Sequence, residues 1–127
     1  IFADKIYSGK PIQVFNNGKM KRDFTYIDDI VEGLRLSIEK NYKCEIFNLG
    51  NNRIEDLMYV VSNIEKNLNL KAKVEFLPMQ PGDVKQTYAD IEKPNKMLGY
   101  KPKTKIDVGI KKFIYWYKKY NKIDDLE

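Results

Sequence analysis

The 127-residue sequence contains no histidine and only one cysteine. Without histidine, the chain cannot build a His-based general base, a Ser-His-Asp triad or a His-ligated metal site from its own residues. The lone Cys44 has no disulfide partner in the chain, and we interpret it as a small apolar filler rather than a nucleophile. No signal peptide and no apolar run of membrane-spanning length is present. These absences indicate a soluble, cytoplasmic protein without a membrane partner.

The length of the chain limits the number of domains, and its charge indicates the kind of partner. A chain of 127 residues can form one compact domain, but it is too short for a cofactor domain plus a substrate domain. The formal net charge of +5 favours an anionic partner such as a phosphate without identifying it. Helical apolar spacing is present from Ile1 onward, so we expect a fragment of a longer protein. We assign one domain to residues 1–120 and a polar tail to residues 121–127.

Apolar spacing and turn residues predict short strands that alternate with helices. The predicted helices cover residues 1–8, 28–40, 52–69, 90–98 and 104–120, and the predicted extended segments cover residues 11–15, 23–27, 45–49 and 74–77. Because each strand is followed by a helix, we expect an α/β fold. The strands are too short and scattered for a complete doubly wound sheet, so the expected architecture is a small mixed lobe with about five helices.

Capping residues and spacing also predict where the helices begin and which faces they bury. Asp28 or Asp29 is suited to cap the second helix, and Asn52 with Glu55 has the spacing of a capping box for the third. Helical spacing further predicts a set of inward-facing residues on the second and last helices: Ile30, Leu34, Ile38, Val108, Ile110, Phe113, Ile114 and Tyr117.

The densest cluster of charge follows a turn signal at residues 16–18. This turn leads three cations, Lys19, Lys21 and Arg22, into a predicted extended segment. The planar fork of an arginine can hold a phosphate through two hydrogen bonds. Alternatively, Arg22 pairs at the surface with Asp23 or Asp28, since such ion pairs are common and nearly neutral in energy. The local residues leave both interpretations open.

A second candidate is the loop at residues 78–84, where two prolines and a glycine restrict the backbone. The loop presents Gln80 and Asp83, and a fixed carboxylate can accept hydrogen bonds from sugar hydroxyls. The alternative is an ordinary turn in which Asp83 binds its own backbone. The local residues alone favour that alternative.

Several segments, taken in order along the chain, resemble one known family. They are Lys10-Pro11-Ile12, residues 18–33, residues 47–51, residues 79–90 and residues 99–117. Together they are similar to the C-terminal part of UDP-glucuronate 4-epimerases, NAD-dependent members of the extended short-chain dehydrogenase/reductase superfamily. Collinear motifs covering nearly the whole chain are far more specific than any one of them.

The resemblance implies substrate-binding roles for individual residues. Arg22 matches the arginine that contacts the substrate diphosphate, and Asp83 matches a carboxylate that approaches the uridine ribose. Val14 and Phe15 correspond to a strand that lies against the uracil. Galactose-type epimerases place an arginine where this chain has Gln80, which implies a uronic-acid substrate.

The resemblance also implies what the parent enzyme does and what this chain lacks. The parent would be a homodimer that interconverts UDP-glucuronate and UDP-galacturonate with NAD bound to an N-terminal domain. The NAD loop and the catalytic Tyr-x-x-x-Lys would lie upstream of Ile1, so we expect this chain to hold no cofactor and no catalytic residue. Tyr115 and Lys119 share the Tyr-x-x-x-Lys spacing, but that spacing is one turn of any helix.

Two alternative functions follow from the same residues. The parent could be another nucleotide-sugar epimerase, dehydratase or decarboxylase of the superfamily. From a different class, the net positive charge and nine tyrosines could serve a basic nucleic-acid-binding module. Most of the tyrosines fall at apolar helical or strand positions, so we expect no nucleic-acid partner.

Overall fold

The structure, a computed structural model, describes residues 1–123. Over this range the chain forms five α-helices and four short β-strands. The helices are α1 (Phe2–Tyr7), α2 (Ile27–Lys40), α3 (Leu57–Leu68), α4 (Glu92–Leu98) and α5 (Ile106–Tyr120), and the strands are β1 (Ile12–Val14), β2 (Lys21–Arg22), β3 (Glu55–Asp56) and β4 (Val74–Phe76). The expected mixed α/β fold with about five helices is confirmed.

The strands form two small sheets that join distant parts of the chain. β1 pairs with β4 in parallel, with Ile12 opposite Val74 and Val14 opposite Phe76. β2 pairs with β3 in antiparallel, with Arg22 opposite Glu55. A single bridge also connects Lys21 with Gln86, which brings the loop after β4 beside β2. These pairings bring the two candidate segments of the sequence analysis to the same side of the molecule.

The main core lies between α1, β1, α3 and α5. Helices α3 and α5 pack along each other, and α1 and β1 close the remaining side. The buried residues of this cluster are Ala3, Ile6, Ile12, Val14, Val60, Val61, Ile64, Leu68, Ile110, Ile114 and Tyr117. The burial of Ile110, Ile114 and Tyr117 confirms their predicted inward orientation, whereas Val108 and Phe113 are partly exposed.

A second, smaller core is built around Tyr100. This side chain is fully buried with Ile91 and Leu98, and partly buried apolar residues of α2 and residues 47–49 pack against the cluster. The Tyr100 hydroxyl donates a hydrogen bond to the carbonyl oxygen of Gly50 at 2.9 Å. Gly33 allows α2 to approach closely, because a Cβ there would lie 2.7 Å from the Leu49 side chain.

Several element boundaries are confirmed. β1 and β4 lie within the extended segments predicted at residues 11–15 and 74–77, and α1 lies within the helix predicted at residues 1–8. α4 ends at Leu98, and Gly99 has the positive φ of +76° that favours glycine after a helix. α3 ends at Leu68, and Asn69 follows in the left-handed conformation. This confirms the helix end predicted near residue 69.

Other boundaries are wrong, chiefly where side chains bind distant backbone. Residues 23–26 form no strand, since β2 occupies Lys21–Arg22 instead. The N-cap of α2 is Tyr26, neither Asp28 nor Asp29. The predicted Asn52–Glu55 capping box is also wrong, because Glu55 pairs with β2 and α3 begins only at Leu57.

Three further predictions are wrong, two of them because the side chains are exposed. Residues 45–49 form no strand. Leu34 and Ile38 of α2 are exposed, although their spacing predicted an inward face. Cys44 is exposed rather than a core filler. All three lie on α2 or in the segment that follows it.

The predicted polar tail is described only in part. Ile123 is partly buried against the main core, and its amide donates to the Lys118 carbonyl at 2.9 Å. Residues 124–127 lie outside the described residues. Among residues 1–123, no helix is both long enough and apolar enough to cross a membrane.

Tyr100 makes the stability of the fold pH-dependent at alkaline pH. Burial, reinforced by the carboxylates of Asp29 and Asp23, raises the pKa of Tyr100 from 10.0 to about 12. The unfolded chain therefore ionises first, so this contribution is intact below pH 10 and is lost as the pH rises through about 12. We expect Tyr100→Phe to flatten the fall of the unfolding free energy over this range, measured by urea unfolding. Tyr120→Phe, on an exposed ring, is the control, and an equal flattening there would contradict the assignment.

Candidate functional site

A cavity of about 680 Å³ opens between α1, β1, β2 and the start of α3. Its volume lies within the range of small-molecule sites, and its wall is mainly apolar with a few polar groups. The lining residues are Ile1, Phe2, Lys5, Gln13, Phe15, Met20, Arg22, Phe24, Leu57 and Asp83. Both charged residues singled out from the sequence, Arg22 and Asp83, therefore lie on the wall of one cavity.

Arg22 and Asp83 form a direct ion pair in this wall. The Arg22 Nη2 atom donates to Asp83 Oδ1 at 2.8 Å, and the two side chains are 24% and 31% exposed. The Nη1 atom donates to the carbonyl oxygen of Lys21 at 2.9 Å, which fixes the plane of the guanidinium. The alternative that paired Arg22 with Asp23 or Asp28 is wrong, since its partner is 61 residues away in sequence.

The loop that carries Asp83 is held by its own backbone. Gly82 has a φ of +82°, and the Asp83 amide donates to the Gln80 carbonyl at 3.2 Å. Asp83 Oδ1 also accepts a hydrogen bond from the Val84 amide at 2.8 Å. The turn interpretation is therefore confirmed, whereas hydrogen bonding of Asp83 to sugar hydroxyls stays a prediction. The Gln80 side chain is exposed and does not line the cavity.

Successive side chains along β1 and at the residue after it point alternately to the core and to the cavity. Because side chains alternate along a strand, Ile12 and Val14 are both fully buried in the main core, while Gln13 and Phe15 line the cavity. The Val14 side chain thus faces away from the cavity. Gln13 was missed by the sequence analysis, although period-two alternation from Phe15 would have found it. Its Nε2 atom donates to Glu75 Oε2 of the paired strand at 3.2 Å.

Asp23 fixes the backbone immediately after Arg22. Its carboxylate accepts three backbone N–H groups, from Asn51 at 2.9 Å, Asn52 at 2.9 Å and Ala89 at 3.1 Å. Gly50 permits this close approach, since a Cβ there would lie 2.3 Å from the Ala89 Cβ. The chain entering the site, the segment before α3 and the segment after the Asp83 loop are joined at one carboxylate.

Tyr115 and Lys119 lie away from the cavity. The Lys119 Nζ atom sits 4.5 Å from the centre of the Tyr115 ring, and Tyr115 is 62% exposed on the outer face of α5. Neither residue lines the cavity. Their contact is a cation–π pair on a helix surface.

Among the described residues, the connections after β2 and β3 do not have the form of a dinucleotide-binding turn. A dinucleotide pyrophosphate is held at a glycine-rich turn from strand to helix, whereas β3 leads directly into α3 and β2 reaches α2 through residues 23–26, which contain no glycine. Within residues 1–123 no group of three acidic or cysteine side chains could hold a metal ion. The charged residues on the wall of the cavity are Lys5, Arg22 and Asp83.

The chain is similar to known proteins over most of its length. Residues 2–113 match the family model described as GDP-mannose 4,6 dehydratase. The chain belongs to this family. It is 55% identical over 116 residues to an uncharacterized protein of Methanocaldococcus jannaschii, covering 91% of this chain and 36% of that protein. It is 40% identical over 118 residues to a UDP-glucuronate 4-epimerase of Thermodesulfobacterium geofontis, covering 92% of this chain and 36% of that enzyme.

A solved structure extends the match to the fold. The UDP-glucuronic acid 4-epimerase of Bacillus cereus, in complex with UDP-glucuronic acid and NAD, superposes with a TM-score of 0.84 at 30% identity, covering 94% of this chain and 38% of that one. The resemblance to UDP-glucuronate 4-epimerases is confirmed. The predicted fold class, that of the C-terminal part of an extended Rossmann-type enzyme, is confirmed as well. The chain spans little more than a third of the length of these relatives.

The Asp23 junction gives a stability prediction with a matched control. Asp23→Asn replaces one accepting oxygen with a donor facing backbone N–H groups, so we expect a loss of about 2–3 kcal/mol in the free energy of unfolding. Asp28→Asn removes only an exposed ion pair with Lys112 at 3.6 Å, and we expect a loss below about 1 kcal/mol. Urea unfolding measures both losses. Equal losses would show that the hydrogen bonds to Asp23 stabilise the fold no more than the exposed ion pair of Asp28 does.

Proposed function

We propose that this chain is the nucleotide-sugar-binding portion of an NAD-dependent UDP-sugar 4-epimerase that interconverts UDP-glucuronate and UDP-galacturonate. The observation that carries the proposal is the Arg22–Asp83 pair, 2.8 Å apart on the wall of a 680 Å³ cavity. The pair combines a cation suited to a diphosphate with a carboxylate suited to sugar hydroxyls. The known relatives named above act on UDP-glucuronate or bind UDP-glucuronic acid.

Arg22 is proposed to bind the substrate diphosphate. Its guanidinium is held by Asp83 on one side and by the Lys21 carbonyl on the other. A side chain already ordered in this way loses little conformational entropy when an anion binds. Asp83 is proposed to accept hydrogen bonds from the ribose, with its remaining acceptor capacity directed to the cavity.

The apolar wall is proposed to hold the uracil. Phe15 presents its ring to the cavity, which suits stacking or edge contact with a planar base. Val14 can contribute through its backbone only, because its side chain is buried in the core. Gln80, at a position where galactose-type epimerases carry arginine, supports a uronic-acid substrate, although its side chain lies outside the cavity lining.

In this proposal the chain supplies binding and orientation, and the chemistry belongs to the rest of the parent enzyme. We assign no catalytic residue and no NAD contact to the described residues. Holding the diphosphate and nucleoside fixes the sugar relative to the reacting groups, which lowers the entropic part of the barrier. The parent is proposed to be a cytoplasmic homodimer, and another reaction on the same class of nucleotide sugar is the nearest alternative.

Titration with UDP and with uridine tests the Arg22 assignment. We expect UDP to bind the chain weakly, and Arg22→Ala to lower the UDP affinity by about tenfold through loss of a charge-assisted hydrogen bond. Because Arg22 is assigned to phosphate, the uridine affinity should not change. Isothermal titration calorimetry or NMR shift mapping gives both constants.

The control for this titration is Arg53→Ala, which removes an exposed arginine outside the cavity lining. Equal UDP affinities for wild type and Arg22→Ala would overturn the assignment of Arg22 to the diphosphate. Salt-dependent binding of single-stranded oligonucleotides that UDP does not displace would instead favour the nucleic-acid-binding module.

A further inference from the structure

Gln13 is the one uncharged polar side chain among the described residues that line the 680 Å³ cavity. The charged lining residues are Lys5, Arg22 and Asp83, and the other lining side chains are apolar. Under the proposed function, Arg22 and Asp83 are assigned to the diphosphate and the ribose, so neither is assigned to the base. The edge of a pyrimidine base carries neutral donors and acceptors, which an amide side chain matches. Gln13 is therefore the neutral group on the wall that can bind the base.

β1 places the Gln13 side chain on the same side of the chain as the Phe15 ring. The backbone stays extended through Phe15, with a φ of −76° and a ψ of 164°. In an extended segment, side chains two residues apart point the same way, and their Cα atoms are about 6–7 Å apart. Both side chains line the cavity. A planar base held against the Phe15 ring would therefore have the Gln13 amide at its edge.

Glu75 determines which end of the Gln13 amide is free. The two residues lie directly opposite each other in the parallel pair of β1 and β4, and Gln13 Nε2 donates to Glu75 Oε2 at 3.2 Å. An ionised carboxylate only accepts hydrogen bonds, so it binds the nitrogen of the amide and not its oxygen. Among residues 1–123, no donor binds Gln13 Oε1. This oxygen is therefore an acceptor that a ligand can use.

A free acceptor at the edge of the base distinguishes uracil from cytosine. In a uridine nucleotide, uracil has one N–H group, at N3, and it lies between two carbonyl oxygens. Cytosine has an unprotonated N3 at the same place and carries its donor on the exocyclic N4. An acceptor directed at N3 therefore gains a hydrogen bond from uracil, but it faces a lone pair in cytosine. Polar groups left unpaired in this way lower the affinity for the wrong ligand.

We propose that Gln13 selects the base of the nucleotide sugar, with Oε1 accepting a hydrogen bond from uracil N3–H, and that Glu75 is the positioning residue that keeps the amide from turning over. This inference rests on the proposed function, because it requires a pyrimidine nucleotide in the cavity. It adds selectivity that the other assigned contacts do not supply. Arg22 and Asp83 meet a diphosphate and a ribose, which other nucleotides share, and an aromatic ring such as Phe15 stacks on any base.

Titration of the chain with UDP and with CDP tests the proposal, because these two ligands differ only in the base. Contacts to the diphosphate and the ribose therefore cancel in the ratio of the two dissociation constants. We expect wild type to bind UDP at least about fivefold more tightly than CDP, the effect of about one hydrogen bond. Gln13→Ala should reduce this preference to within about twofold, chiefly by weakening UDP binding. Equal binding of UDP and CDP by wild type would overturn the proposal.

Glu75→Gln tests the positioning role separately. The new amide both donates and accepts hydrogen bonds, so it no longer holds Gln13 in one orientation, and Gln13 Nε2 becomes free to donate to cytosine N3. We expect CDP to bind about threefold more tightly to this variant than to wild type, while UDP binding stays the same or weakens. A structural defect would weaken both ligands instead. Unchanged or weaker binding of CDP would overturn the role of Glu75.

Gln86→Ala and Glu92→Gln are the matched controls, because they make the same changes at exposed side chains outside the cavity lining. Both should keep the wild-type ratio of UDP to CDP affinity, and circular dichroism confirms that each variant is folded. A ratio that Gln13→Ala leaves unchanged, while Arg22→Ala still weakens UDP binding, would overturn base selection by Gln13 alone. Failure of wild type to bind UDP would overturn the proposed function and this inference together.

Discussion

The carboxylate of Asp23 is the interaction on which the arrangement of this chain depends. Three backbone N–H groups from two distant segments converge on its two oxygens. Hydrogen bonds to a charged acceptor each contribute more than neutral ones, and removing the acceptor leaves three backbone donors without this partner at once. Since Arg22 and Asp23 are adjacent, the same contact that joins these segments also fixes where the Arg22 backbone emerges into the cavity.

The geometry of the site depends on this junction and on two further contacts. Residues 89–90 are tied to Asp23 by the Ala89 amide, and the loop before them returns to β2 through the bridge between Lys21 and Gln86. The Asp83 turn is thereby kept within reach of Arg22, and their ion pair closes the remaining distance. The two side chains that could recognise a nucleotide sugar are positioned mainly by polar contacts to backbone, with little help from the apolar cores.

The sequence correctly predicted those features that depend on interactions between neighbouring residues. Gly99 and Asn69 end their helices as their backbone preferences require, and the β-prone residues around Val14 form a strand. The partner of that strand could not be read from the sequence, because β4 lies about 60 residues further along and pairing depends on tertiary packing. The predicted N-cap of α2 was wrong for a related reason. Asp29 was expected to bind its own helix, but its carboxylate receives the amides of Lys103 and Thr104.

The errors at α2 and residues 45–49 have a different origin from the errors at the caps. The sequence pattern correctly reported an apolar helix side at Leu34 and Ile38 and a β-prone run around Ile46, but a pattern records only that a surface is suited to burial. It does not record which polypeptide covers that surface. In residues 1–123 neither core cluster includes Leu34, Ile38 or Ile46. An apolar pattern that the fold leaves exposed is therefore informative, because it separates the burial a chain achieves alone from the burial that its sequence specifies. For this chain, the difference between the two lies in the exposed apolar side chains of Leu34, Ile38 and Ile46.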